Sequence, residues 1–103
     1  MSQKIIAGVT VDVTEEGYFT NPAQWNKDIA AEIAKEEGIQ LTDKHFEVLH
    51  FIRDRFAKGD ALTIRSVGNS GIIDIKGFYG LFPGAPMKKA AKIAGIPKPA
   101  SCI

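Results

Sequence analysis

Cysteine is nearly absent from this chain: Cys102 is the only one in 103 residues. A single thiol excludes an internal disulfide and fits a reducing compartment. Histidine is also scarce. His45 and His50 are the only two; their spacing does not set both on one helix face and no cysteine lies nearby, so no metal site is expected and both read as ordinary, partly exposed residues. No apolar run is long enough to span a bilayer, so no membrane partner is expected. Met1-Ser2-Gln3-Lys4 leads straight into a patterned segment without the layout of a signal peptide, and a cytoplasmic protein is expected. Neither sign of charge dominates: the formal net charge is +1, which argues against a dedicated nucleic-acid binder. What remains is ordinary for a soluble globular domain, 45% hydrophobic and 24% charged. The length suits one domain, 1–103, with one core.

The segment 4–19 patterns as β. Val9, Val11 and Val13 alternate with polar residues, Gly8 and Glu15-Glu16-Gly17 supply turns, and Tyr18-Phe19 begins a third strand, giving a small antiparallel meander that needs helices to cover it. Asn21-Pro22-Ala23-Gln24 has the chemistry of a helix start, with Trp25, Ile29 and Ile33 on one face and Gly38 as the stop. Thr42 caps a second helix, with Leu41 and Phe46 spaced as a hydrophobic staple. Phe46, Leu49, Ile52 and Phe56, helped by Val48, form its stripe, and this helix is expected to be central. Leu62–Arg65 forms a short turn. Gly68-Asn69-Ser70-Gly71 lacks the lysine and spacing of a phosphate loop and reads as a connection. Asp74 caps a fourth segment with Ile75, Phe78, Tyr79 and Phe82 inward. Pro86 starts a last helix that turns Met87, Ala90, Ala91 and Ala94 inward, and Gly95 stops it. The fold class is therefore α+β: a small N-terminal meander packed against about five helices.

Residues 94–103 read as an extended C-terminal arm, because Pro97 and Pro99 forbid a regular helix. Nine extended residues reach roughly 30 Å, far enough to carry Cys102 into another protein's cleft. A cysteine near a chain end is also what an incidental residue looks like. Elsewhere there is no carboxylate pair, supported serine–histidine arrangement or dinucleotide fingerprint, so the Cys102 thiol is the one candidate catalytic group. Sulfur transfer by persulfide needs a thiolate that attacks a donor sulfur and then presents its own outer sulfur. Lys88, Lys89, Lys92 and Lys98 favour a thiolate, although a lysine-rich helix face is more often simply solvated.

Leu81-Phe82-Pro83, then Lys89-Ala90, then Lys92-Ile93-Ala94-Gly95-Ile96-Pro97-Lys98-Pro99 and a penultimate cysteine closely resemble the C-terminal signature of the DsrC/TusE family. Glu16-Gly17-Tyr18, Trp25, Leu41-Thr42 and Phe51-Ile52-Arg53 extend the resemblance over nearly the whole chain. The resemblance implies a small cytoplasmic sulfur carrier that holds a persulfide on Cys102, with no cofactor. In the two-cysteine DsrC branch the second cysteine lies eleven positions before the terminal one, which here is Ala91. This chain therefore looks like the single-cysteine, TusE-like branch. The implied partners are a TusBCD- or DsrEFH-like donor complex and a sulfur acceptor, either a tRNA thiouridylase or dissimilatory sulfite reductase. No direct nucleic-acid contact is implied, and a monomer is expected. Arg65 matches an arginine that lies close to the arm in the family, and Arg65 and Lys98 are carried over as substrate-binding candidates. Ala91 is expected to be packed on the last helix, and Arg65 to lie on the face over which the arm folds. The stretch between Arg65 and Leu81 is shorter than in typical members, which leaves the partner open.

Two readings from other classes compete. A regulatory nucleic-acid-binding module would use the helices at 42–58 and 62–66 as a helix-turn-helix, but the second is short and lacks a basic recognition face. A stand-alone enzyme would need a substrate pocket and a base that the sequence does not display, so a sulfurtransferase-type carrier is preferred. A role with dissimilatory sulfite reductase or sulfur-oxidation machinery remains the alternative to tRNA thiolation.

Overall fold

Two strands with a two-residue turn open the chain. In the computed structural model, which describes residues 2–60 and 62–98, β1 (Ser2–Ile6) and β2 (Val9–Val13) pair antiparallel with Ile6 opposite Val9. Ala7 and Gly8 both take positive φ, 51° and 79°, the turn whose twist matches that of the strands. Ile6, Val11 and Val13 are buried on one face, while Ile5 on the other is 74% exposed. The expected third strand shrinks to a single bridge between Val13 and Phe19. Thr14 and Gly17 close a tight turn there, with Gly17 at φ 92°, and the chain then leaves the sheet.

The first helix starts later than its sequence suggests. Asn21 does cap, but only a short 3₁₀ turn, Pro22–Gln24. Trp25 is extended, and a second asparagine, Asn26, caps α1 (Lys27–Glu36) by accepting from the Ile29 N–H at 2.8 Å. Gln24 is not part of a capping box. Its Oε1 accepts from the Asp12 N–H at 2.8 Å and its Nε2 donates to the Asp12 carboxylate at 3.1 Å, which ties the turn to β2. Two competing caps five residues apart allow the break, and the break leaves Trp25 extended between the 3₁₀ turn and α1.

Thr42 leads into α2 (Asp43–Lys58), and Gly59 ends it in the left-handed conformation. The buried stripe keeps the expected Val48, Leu49 and Ile52 and adds His45, while the two phenylalanines depart from expectation: Phe46 is only partly buried and Phe56 is 38% exposed. His45 is buried rather than partly exposed. Its Nδ1 accepts from the Thr42 N–H at 3.1 Å, so Nε2 carries the proton and donates to the Leu81 carbonyl at 2.9 Å. The ring also meets Phe82 edge-on at 5.2 Å. A histidine can occupy the core side of this helix because both its nitrogens are satisfied there.

Thr63 and Ser66 exchange reciprocal bonds to start α3 (Ile64–Gly68). Asp74 caps α4 (Ile75–Leu81), accepting from the Gly77 N–H at 2.6 Å. Phe78 and Phe82 are buried, but Ile75 and Tyr79 are each 45% exposed, against the expected inward quartet. The centre of the bundle is α5 (Pro86–Ala94), not α2: it packs on α1, α2 and α4. Met87, Ala90, Ala91, Ile93 and Ala94 are fully buried, and the alanines let three neighbouring helices come close at once.

If the corrected stripe holds, Leu49→Ala should cost about 2–5 kcal/mol, as for a fully buried leucine, whereas Phe56→Ala should cost about 1 kcal/mol or less. Urea unfolding of the two variants checks the contrast.

Candidate functional site

The site is built around the end of α5, where the chain leaves the helix bundle on its way to Cys102. A helix leaves its last carbonyls without partners, and each of these must be satisfied. The Ile96 N–H reaches the Ala91 carbonyl at 3.2 Å, and the Gly95 N–H is shared between the Ala91 and Lys92 carbonyls. The indole N–H of Trp25 donates to the Ile93 carbonyl at 2.7 Å. The Arg53 guanidinium donates to the Ala94 carbonyl at 2.7 Å and, through its other arm, to the Pro22 carbonyl at 2.9 Å. It also lies over the Trp25 ring, 4.4 Å from its centroid, a cation–π contact. Partial burial of Arg53 pulls its pKa below the ordinary arginine value through desolvation, yet a guanidinium stays charged at neutral pH. A cation at a helix C-terminus also opposes the negative end of the helix dipole.

Gly95 fits this clamp for two reasons. Its φ is 69°, which a side chain disfavours, and a Cβ there would collide with Trp25. Ile96 beyond it is fully buried. The first residues of the expected 94–103 arm therefore belong to the packed body: Ala94 is the last residue of α5, and Gly95 and Ile96 are its seal. Pro97 is partly buried and Lys98 exposed. Residues 99–103, with Cys102, lie outside the described residues.

Cations around this end are partly spoken for. Lys98 pairs with Glu16 at 3.1 Å. Lys92 lies 3.8 Å from Glu37 and 5.4 Å from the Tyr18 ring centroid. Lys88 is exposed, as is Arg65 on α3. The Arg65 side chain makes no hydrogen bond or ion pair with another described residue, and no such contact joins it to Lys98. Ala91, the position eleven before Cys102, is fully buried on α5. His50 is exposed and meets Trp25 edge-on at 6.2 Å. Among the described residues no group of three His, Cys, Asp or Glu stands close enough to hold a metal ion, and no helix is long and apolar enough to cross a membrane.

The family model described as DsrC like protein matches residues 5–103. The chain belongs to the DsrC-like family. It is 36% identical over 111 residues to a protein of Haemophilus influenzae named sulfurtransferase TusE homolog, covering 95% of this chain and 97% of that one. It is 36% identical over 108 residues to sulfurtransferase TusE of Escherichia coli, covering 96% and 98%. Its fold matches that of Allochromatium vinosum DsrC with a TM-score of 0.81 at 30% identity, over 98% of this chain and 97% of that one. It also matches the oxidized gamma-subunit of the dissimilatory sulfite reductase, DsrC, from Archaeoglobus fulgidus at TM-score 0.80 and 28% identity, over 99% and 100%. This is the α+β architecture of the DsrC structures, with two strands before the helices.

Sequence reasoning missed Arg53 and Trp25 as the residues that fix the base of the tail. Both stood in the matched family segments, but nothing local assigns them a partner 41 and 68 residues away.

Two substitutions test the clamp. Gly95→Ala should destabilise by more than about 1 kcal/mol, since alanine is placed where φ is positive. It should also shift the emission of Trp25, the only tryptophan, to longer wavelength. Arg53→Lys should cost about 1–3 kcal/mol, because an ammonium cannot span two carbonyls as a planar fork does. Chemical unfolding followed by tryptophan fluorescence reads both.

Proposed function

We propose that this chain is a sulfur carrier of the single-cysteine, TusE-like kind, in which Cys102 holds a persulfide and hands its outer sulfur from a donor protein to an acceptor, with tRNA thiolation as the destination. The observation that carries this is the cysteine count within the family: Cys102 is the only cysteine, and the position where the two-cysteine branch has its second thiol is Ala91. A methyl group fully buried on α5 offers no second thiol for an internal disulfide.

The chemistry needs only one thiol. The Cys102 thiolate attacks the outer sulfur of a donor persulfide; the donor's S–S bond breaks, and the donor leaves as a thiolate. Cys102 is then a persulfide, and no net oxidation has occurred. An acceptor thiolate attacks the outer sulfur in turn and releases the Cys102 thiolate. The donor is proposed to be a TusBCD-like complex and the acceptor a tRNA thiouridylase.

The clamp on α5 supports the reading. It fixes the chain at Gly95, so that a partner can engage residues after it without loosening the helix bundle. Residues 97–103 are the proposed working part of the 94–103 arm. Arg65 and Lys98 are proposed as cations that meet the incoming sulfur donor; Lys98 lies four positions before Cys102 and is held at the surface by Glu16. A role beside dissimilatory sulfite reductase is the second reading. It draws on the DsrC structures, whose identity to this chain, 28–30%, is below the 36% of the TusE relatives.

Incubation with a cysteine desulfurase, cysteine and the donor complex should add one sulfur, about 32 Da, to the wild-type protein, and a reductant should remove it. Cys102→Ser should gain nothing while keeping the wild-type fold, because a hydroxyl forms no persulfide and is a far weaker nucleophile at neutral pH. Intact-protein mass spectrometry decides. An equal gain by the serine variant, or no gain by wild type, overturns the assignment.

A further inference from the structure

Charge is divided unevenly along a chain whose total is close to neutral. Residues 2–60 hold seven lysines and arginines against eleven acids, and residues 62–98 hold six against one. That one acid, Asp74, is occupied as the cap of α4. Lys92 and Lys98 reach across to Glu37 and Glu16. Arg65, Lys76, Lys88 and Lys89 make no ion pair with any described residue. They sit on α3, α4 and α5, of which α4 packs against both others, and the Lys89 ammonium lies 3.6 Å from where a Cβ on Gly84, just past the end of α4, would stand.

A second observation lies on α4. Ile75 and Tyr79, one helical turn apart, are each 45% exposed. Next to Tyr79 is Gly80, a glycine the fold does not require. Its φ is not positive, and a Cβ built there meets no atom within 4 Å. Gly77 differs, because its Cβ would press against the Ile73 side chain at 2.6 Å. A glycine inside an exposed helix costs stability relative to alanine, and the reason to keep one is close approach by something else. Gly80 lines an open cavity of about 210 Å³ between the end of α4, with Leu81 and Pro83, and the loop Gly38, Ile39 and Gln40 beside His45.

We propose that the surface at the end of α4, centred on Gly80, is a docking face for an acidic protein, which seats an apolar side chain in the notch between Gly80 and the 38–40 loop and sets its carboxylates against Lys76 on α4 and Lys89 on α5. A phosphate backbone would use the cations but has no group for the notch or for Ile75, so a protein fits better than a nucleic acid. That the partner is a protein rests on the carrier reading above, under which this chain must meet a donor and an acceptor. The face itself does not involve Cys102.

The probe is a synthetic peptide of Glu and Asp with one central Leu, titrated into the isotope-labelled full-length protein and followed by amide NMR. Shifts are expected at Ile75, Lys76, Tyr79 and Gly80, with binding that weakens as salt is raised. Replacing the peptide's Leu with Ala should weaken binding about tenfold, and the double change Lys76→Glu with Lys89→Glu should remove it. Gly80→Ala should raise the melting temperature yet weaken binding, whereas a glycine serving only the fold would leave the peptide untouched. The proposal is overturned if those amides do not move, if the peptide lacking Leu binds equally well, or if a DNA duplex binds this face as tightly as the peptide. Cys102→Ser should bind the peptide as wild type does, so failure of this face and failure of sulfur loading are read separately.

Discussion

The structure depends on how the last carbonyls of α5 are satisfied. Those of Ile93 and Ala94 receive their bonds from Trp25 and Arg53, residues on other elements. Arg53 also holds the Pro22 carbonyl, so one planar cation binds the start of the helical region to its end. The contacts are mutually supporting: the indole gives the guanidinium a face to lie on, and the charged guanidinium donates to carbonyls through both terminal nitrogens. Without these partners, buried carbonyls at the centre of the bundle would be left without hydrogen bonds, which costs far more than a surface contact.

Why α5 can be central follows from its small side chains. Three alanines on its inward side let the helix backbone come close to its neighbours, and Met87 and Ile93 fill the remaining space. Close packing then makes the helix end inaccessible to water, which is why it needs protein partners at all. Gly95 completes this arrangement, because the left-handed turn and the Trp25 ring occupy the space a side chain would need. A packed helix and a sealed end give the following residues a rigid starting point.

For the carrier proposed above, a helix bundle sealed at the end of α5 is useful, because the body can present recognition surfaces without being deformed when a partner engages the residues beyond it. Exposed ion pairs such as Lys98 with Glu16 contribute little stability, about 0–1 kcal/mol, and so can be exchanged for contacts with another protein. The buried contacts of Arg53 and Trp25 are not exchangeable in this way.

Much of this was legible in the sequence, because it depends on local chemistry. The alternating valines of β2, the caps at Thr42 and Asp74, the proline at the start of α5 and the glycine at its end act within a few residues of themselves. The Cys102 thiol and the eleven-position count to Ala91 are also properties of the chain alone. What only the tertiary structure decided is which side of each helix is inside. Phe46, Phe56, Ile75 and Tyr79 look like core residues by hydrophobicity and spacing, but each lies at the margin of its helix's buried stripe, where neighbouring elements do not fully cover it. His45 takes a core position because Thr42 and Leu81 satisfy both its nitrogens, which no local pattern announces. The start of α1 was a choice between two asparagines, settled by where Trp25 had to go. The clamp itself joins residues up to 68 positions apart, and contacts of that separation exist only once the helices have packed.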